Sequence, residues 1–398
     1  MDINRTIEQA KLLITKVADV GKNYANKPKM QGLFPFEHYL NKNGSIDIKA
    51  LDKNDGLWTR REILTRYLLV RAVLDQGPDM EGVSIFVRDV VNALYKKEIR
   101  IFHKPLEFFK EIGISIDEIL ERHASVKKIR ATEWAKENES TANRYNLFID
   151  GSKQVLGYAI YRWGVPLCVP LLLEKDLKNN QKQSSEPLVD YIENWDSAEI
   201  MSQQVKDNER YGLGKAIGDK AGHLFVKWYI HTFGLTKRED KAFGPLSYEL
   251  PFDSNAGRVL FRTGFLLCCA DLSDYESWEV IQKGKGKGGE HYIRVTNIRG
   301  KKSEKFANLE NLMNSHCSIC IEYLKVRRRK PSKIEIQQIP NSLLLGTNYG
   351  IGDLDDGLMH IGTNYCLNHA NPKCKICPIK DVCVGYKTDN ELISRYRT

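Results

Sequence analysis

The sequence predicts an all-α protein of two domains. Three observations carry this expectation. Apolar residues recur at helical spacing in segments that end at Gly or Pro. The length of 398 residues exceeds one average domain. A closing run of four cysteines is too poor in apolar residues to fold by burial alone.

In chain order, residues 1–27 read as an amphipathic helix with Ile7, Ala10, Leu13, Ile14 and Val17 on one face. Residues 28–56 are rich in Lys, Asn, Asp and Gly and read as a linker or surface loop, so 1–56 forms an N-terminal segment expected to pack on the cysteine-bearing domain. A helix follows with Leu64, Leu68, Leu69, Ala72 and Val73 in register, stopped by Gly77-Pro78. The next, about 81–96, carries Val83, Phe86, Val87, Val90, Val91 and Leu94, and a short helix over 104–113 stops at Gly113. Residues 114–210 are the least regular and read as an insertion, whose aromatics (Trp134, Tyr158, Tyr161 and Trp163) serve either core packing or base stacking.

Gly212, Gly214 and Gly218 then precede an apolar helix, 221–233, that Gly234 ends. Closely spaced glycines expose consecutive backbone N–H groups at a positive helix end, a geometry that cradles phosphate. Plain turns into helices use the same residues. Further on, Asp253 or Ser254 caps a short helix ended at Gly264, and the positive helix end favours an ionised Asp253. A simple N-cap would look the same. Residues 284–294 form a Gly/Lys stretch read as a basic loop, and a helix over 306–325 carries Cys317 and Cys320. Arg327–Lys330 is a further basic cluster.

Composition is that of an ordinary globular chain, with 42% apolar and 28% charged residues, and the net charge of +9 suits a polyanion partner. The N-terminal helix lacks the apolar core of a secretory leader, and the longest apolar run, residues 165–173, is far too short for a bilayer. These features predict no membrane association and a reducing compartment.

The four closing cysteines are Cys366, Cys374, Cys377 and Cys383, spaced C-x7-C-x2-C-x5-C. Nine cysteines in all, an odd number in a long chain, argue against disulfides and leave metal. A structural zinc site usually shows two C-x2-C knuckles, and one is present here. A single compact run of four thiolates is the arrangement that wraps one [4Fe-4S] cluster. Zinc and unliganded thiols stand as alternatives.

This loop resembles the cluster loop of the helix-hairpin-helix DNA glycosylase superfamily, in its endonuclease III and MutY branch, where the pattern is C-x6-C-x2-C-x5-C. The first gap is one residue longer here. Gly357–His360 leads through a short helix into Cys366, as in the family, and Pro372-Lys373 precedes Cys374. Asp253-Ser254-Asn255, followed by Arg258-Val259 and Arg262-Thr-Gly264, resembles the family's aspartate segment. Ile217-Gly218-Asp219-Lys220 resembles its hairpin with the lysine in place, whereas aligning Gly212-Leu-Gly214 instead would put Ala216 there. Gln76 matches a glutamine that enters the base stack in the family; a helix-terminal cap is the other reading. The likeness spans about 57–113, 211–264 and 356–385, less than half of the chain.

The resemblance implies a two-domain helix-hairpin-helix glycosylase fold: a six-helix barrel over 57–264, with the insertion about 114–210, and a [4Fe-4S] domain over 265–398 with its loop at 366–383. It implies a monomer acting on double-stranded DNA in base excision repair, flipping a damaged or modified base and cleaving its N-glycosidic bond. Asp253 would stabilise the oxocarbenium-like sugar, and Lys220 would act as an amine nucleophile with abasic-site lyase activity. Gln76, Gly212, Gly214, Gly218 and Arg258 would contact DNA. Two alternatives stand beside it: a non-catalytic DNA-binding protein on the same scaffold, and a zinc-stabilised nucleic-acid-binding module.

Overall fold

The computed structural model describes residues 3–24, 32–75, 80–111, 115, 159–268, 281–285, 291–295, 306, 308–321, 333–367 and 372–387. Gln76, the insertion aromatics Trp134 and Tyr158, and the Arg327–Lys330 cluster lie outside them. The described chain is mostly helical. Its helices are α1 (Ile3–Asn23), α2 (Arg60–Leu74), α3 (Met80–Lys96), α4 (Pro105–Glu111), α5 (Ala159–Asn179), α6 (Pro187–Glu193) and α7 (Ala198–Asp207). They continue as α8 (Asp219–Phe233), α9 (Ser254–Arg262), α10 (Leu309–Ile321), α11 (Lys333–Leu344), α12 (Ile351–Asn364) and α13 (Val384–Lys387). Two short antiparallel pairs join them: β1 (Asn54–Asp55) with β2 (Trp58–Thr59), and β3 (Ile281–Lys285) with β4 (His291–Val295).

The chain forms two compact units. One comprises residues 1–26, 197–200 and 238–398; the other comprises 27–196 and 201–237. The cut therefore precedes the Asp253 helix, whereas the sequence suggested a boundary after Gly264.

In the 27–237 unit the core is built around α2. Thr59 caps it, its side chain accepting from the Glu62 N–H, and Ile63, Leu64, Leu68, Leu69, Ala72 and Val73 are buried. Three charged residues of the same helix, Glu62, Arg66 and Arg71, are buried as well. Arg66 Nε donates to Glu62 Oε1 at 2.8 Å and its Nη2 to Glu174 Oε1 at 3.0 Å, while its guanidinium lies 4.5 Å from the Trp58 ring. The second Glu62 oxygen accepts from the Leu188 and Val189 N–H groups, both at 3.0 Å, which satisfies the start of α6. This network answers the desolvation cost of an ion pair with a full set of hydrogen bonds. Helix α5 packs on α2 despite Pro166 and Pro170 one turn apart inside it, because Leu167, Cys168 and Val169 are buried and their packing offsets the missing backbone bonds. Trp163 is fully buried, a core residue rather than a stacking surface. Residues 34–39, expected as linker, form a 3-10 turn with Phe36 and Tyr39 in the core.

In the cysteine-bearing unit α1 lies on α12. Glycine makes that approach possible: a Cβ at Gly21 would run into the Asp353 carbonyl, and one at Gly357 into the Val17 carbonyl. Helix α9 packs on α12 in the same way, with Asn255 occupying the space a Cβ would need at Gly362. The Gly/Lys stretch read as a loop forms part of an antiparallel ladder, from Ile281 opposite Val295 to Lys285 opposite His291. No helix among the described residues is long and apolar enough to cross a membrane.

Candidate functional site

The cysteine loop closes on itself through backbone turns. Cys366 N donates to Ile361 O at 2.7 Å, Lys373 N to Tyr365 O at 2.8 Å, and Cys383 N to Ile379 O at 3.0 Å. All four thiols line one cavity, part of it open to solvent, together with Arg262 and Lys380. None of the four is in a disulfide. Burial pushes the Cys377 and Cys383 thiols up to about 11, and the neighbouring thiols add to the rise. Thiols this close and this dry become thiolates when a cation offsets the charge. No three of these sulfurs lie within 4.8 Å of one another among the described residues. Four thiolates on one zinc would stand about 3.8 Å apart, given a Zn–S bond of about 2.3 Å and tetrahedral geometry. The four sulfurs do not meet that spacing.

Helix α9 is tied to this loop through two arginines one turn apart. Arg258 Nε donates to Cys366 O at 3.0 Å, and its Nη2 donates to Gly362 O at 3.0 Å and Asn255 Oδ1 at 2.5 Å. Arg262 Nη1 donates to Leu367 O at 2.7 Å and lies 3.7 Å from Cys366 Sγ. Burial weakens the charged form of Arg258, and the nearby Cys366 and Asp253 favour it. The Arg258 guanidinium, read from sequence as a DNA contact, is only 7% exposed and is directed into the cysteine loop. The resemblance implied that contact; packing of α9 on α12 turns the side chain inward. Arg262, Asn255 and Gly362 were not recognised as part of the site, although the four-residue spacing of the two arginines places them on one helix face. Of the loop lysines, Lys373 and Lys375 are exposed, whereas Lys380 lines the thiol cavity.

Asp253 is the N-cap of α9. Its backbone is extended, and Oδ1 accepts from Ala256 N at 2.8 Å. The helix ends at Gly264, whose φ of +83° suits glycine and whose missing Cβ leaves room for Val384.

The glycine hairpin belongs to the other unit. Asn208 Oδ1 accepts from the Arg210 and Tyr211 N–H groups, both at 3.0 Å, and Gly212 N donates to Asn208 O at 3.0 Å. Gly212 is buried against Asn208, where a side chain would clash with backbone, and Gly214 has a φ of +55°. Gly218 is exposed and N-caps α8, with nothing within 4 Å of the position a Cβ would take. Lys220 is half-buried in the first turn of α8. Asp219, beside it, pairs with Lys206. Asp176 braces the hairpin by pairing with Arg210 and accepting from Tyr211 Oη at 2.7 Å.

Comparison with models of known families, with curated proteins and with solved structures finds no match for this chain.

Proposed function

We propose that the chain is a DNA glycosylase of base excision type, built on the helix-hairpin-helix glycosylase fold, with abasic-site lyase activity. The observation that carries this reading is the union of two features on one short helix: Asp253 at the N-terminus of α9, and Arg258 and Arg262 of the same helix bonded to the Cys366 loop. A cavity lined by four thiols, with cationic Arg262 and Lys380 beside them, fits a [4Fe-4S] cluster held by Cys366, Cys374, Cys377 and Cys383. When bound, that cluster would act as a rigid brace for the loop.

The chain's own residues would do the chemistry. Cleavage of the N-glycosidic bond leaves positive charge on the sugar, and a carboxylate at Asp253 would stabilise it. The departing base takes the bonding electron pair and a proton. The neutral amine of Lys220 would add to C1′ and lose a proton. Ring opening at C1′ then gives a protonated imine, with the ring oxygen taking up a proton, and β-elimination of the 3′ phosphate follows. The N–H groups around Gly218, at the positive end of α8, would hold a backbone phosphate, and Lys373 and Lys375 would add charge along the strand. The enzyme would act as a monomer on double-stranded DNA.

Single-turnover base release tests the reading. Asp253→Asn is expected to abolish release from a lesion-bearing duplex while leaving duplex affinity within about twofold. Undiminished release would refute the assignment. A second reading, a DNA-binding protein without chemistry, is favoured by one observation: Asp253 Oδ1 already serves as a helix cap. It predicts binding with no base release from any duplex.

A further inference from the structure

Asp176, near the end of α5, meets the glycine hairpin of the same unit in two ways. Its Oδ2 accepts from Tyr211 Oη at 2.7 Å. Its two oxygens also accept from Arg210 Nε and Nη2, a bidentate pair. The Arg210 side chain is 58% exposed and that of Asp176 is 16% exposed.

The turn is held without this ion pair. Asn208 Oδ1 accepts from the Arg210 and Tyr211 N–H groups, Gly212 N donates to Asn208 O at 3.0 Å, and Leu213 N donates to Val205 O at 2.9 Å. The Tyr211 ring meets that of Tyr191 edge to face, with centroids 5.2 Å apart. None of these contacts uses the guanidinium, and an ion pair this exposed contributes only about 0–1 kcal/mol. Its geometry is specific all the same. A fork that grips a carboxylate through two parallel bonds grips a phosphate in the same way, so one partner can replace the other at little cost.

The surroundings favour such an exchange. Lys175 and Lys178, both exposed, flank Asp176 along α5, with exposed Glu209 the opposing charge next to Arg210. Lys206 pairs with Asp219 across the hairpin, which brings the turn beside the first turn of α8.

We propose that Arg210 is a phosphate-binding residue of the hairpin and that Asp176 is its internal competitor, released when Arg210 turns to a phosphodiester of the DNA backbone. The inference rests on the DNA reading above and adds to it a contact and a restraint on that contact. After release Asp176 would keep its bond from Tyr211, so the turn holds its shape while the arginine moves.

The test is the affinity of the full chain for a fluorescein-labelled duplex bearing a reduced abasic-site analogue, followed by anisotropy over a range of salt. Arg210→Gln is expected to bind more weakly and to lose about 0.9 from the slope of log affinity against log salt, the share of one phosphate. Asp176→Asn, which keeps an acceptor for Tyr211, is expected to bind about two- to fivefold more tightly, an exposed ion pair read as an equilibrium ratio. That gain should vanish when the two substitutions are combined. Unchanged affinity in Asp176→Asn, or a gain that survives in the double variant, would overturn the competitor role, because charge removal alone would then account for the result. An unchanged slope in Arg210→Gln, with a parent whose affinity falls with salt, rejects the proposal and leaves the DNA reading standing. A parent with no salt dependence rejects both. If Asp176→Asn does not fold, as judged by circular dichroism, the slope of Arg210→Gln decides, since that side chain lies at the surface.

Discussion

Arg258 Nε donates to the carbonyl oxygen of Cys366 at 3.0 Å, across 108 residues of chain. Through Nη2 the same guanidinium reaches Asn255 Oδ1 and Gly362 O, so one side chain joins the start of α9, the end of α12 and the first cysteine. Replacing Arg258 with Ala would leave three acceptors unanswered beside the thiol cavity. The expected cost is about 2–3 kcal/mol, read as a lower urea midpoint, with reduced iron and sulfide content in the purified protein. Unchanged iron content and midpoint would show that the loop does not depend on this tie.

The contact between α1 and α12 depends on the absence of two Cβ atoms. Gly21→Ala and Gly357→Ala should each destabilise the protein by about 1–3 kcal/mol or more, since the obstructing atoms are backbone and cannot rotate away. Gly244→Ala, with nothing within 4 Å of its Cβ position, serves as the near-neutral control. Thermal melts of the three variants would test this, and equal melting temperatures would contradict the close approach.

Arg66 and Glu62 are both fully buried, so removing one partner strands the other. Glu62→Gln should cost about 3–5 kcal/mol, which is large enough to lower soluble yield. A midpoint within experimental error of the parent would mean that the network contributes little.

Acid should weaken the 27–237 unit in two stages. Burial opposes ionisation of Asp55, but hydrogen bonds from Tyr39, His103 and His38 outweigh it and hold the carboxyl down at about 2. Burial pushes His103 below the ordinary imidazole value, and Asp55 pulls the other way without winning, because the ring is only 11% exposed. Both folded values are depressed, so the unfolded chain binds more protons and stability rises with pH. The His103 contribution is complete above about pH 6.5 and is lost as pH falls below it; the Asp55 contribution is lost between about pH 4 and 2. Urea midpoints measured from neutral to acid pH should therefore fall, and His103→Gln should flatten the upper stage. Parallel profiles for parent and variant would remove His103 from the account.

Local signals made part of this legible. Helix α2 and its buried stripe follow from spacing, as do the Asp253 cap, the Gly234 stop of α8 and the grouping of four cysteines. What escaped depends on distant partners. Phe36 and Tyr39 lie in the 28–56 stretch, whose Lys, Asn, Asp and Gly content argues for a loop, and Phe36 enters the core against Tyr67 and Phe102. The β3–β4 ladder lies in a Gly/Lys-rich stretch whose composition argues for a loop. The inward turn of Arg258 depends on Gly362, far along the chain and lacking the side chain that would have kept Asn255 away.

The measurement that bears most directly on the central claim is borohydride trapping on duplexes carrying an abasic site or one of a set of base lesions. A covalent protein–DNA adduct is expected with the abasic duplex, absent in Lys220→Ala, and the lesion giving most adduct would identify the base class removed. No adduct with the abasic duplex, or an adduct that persists in Lys220→Ala, would contradict the assignment of Lys220 as the attacking amine.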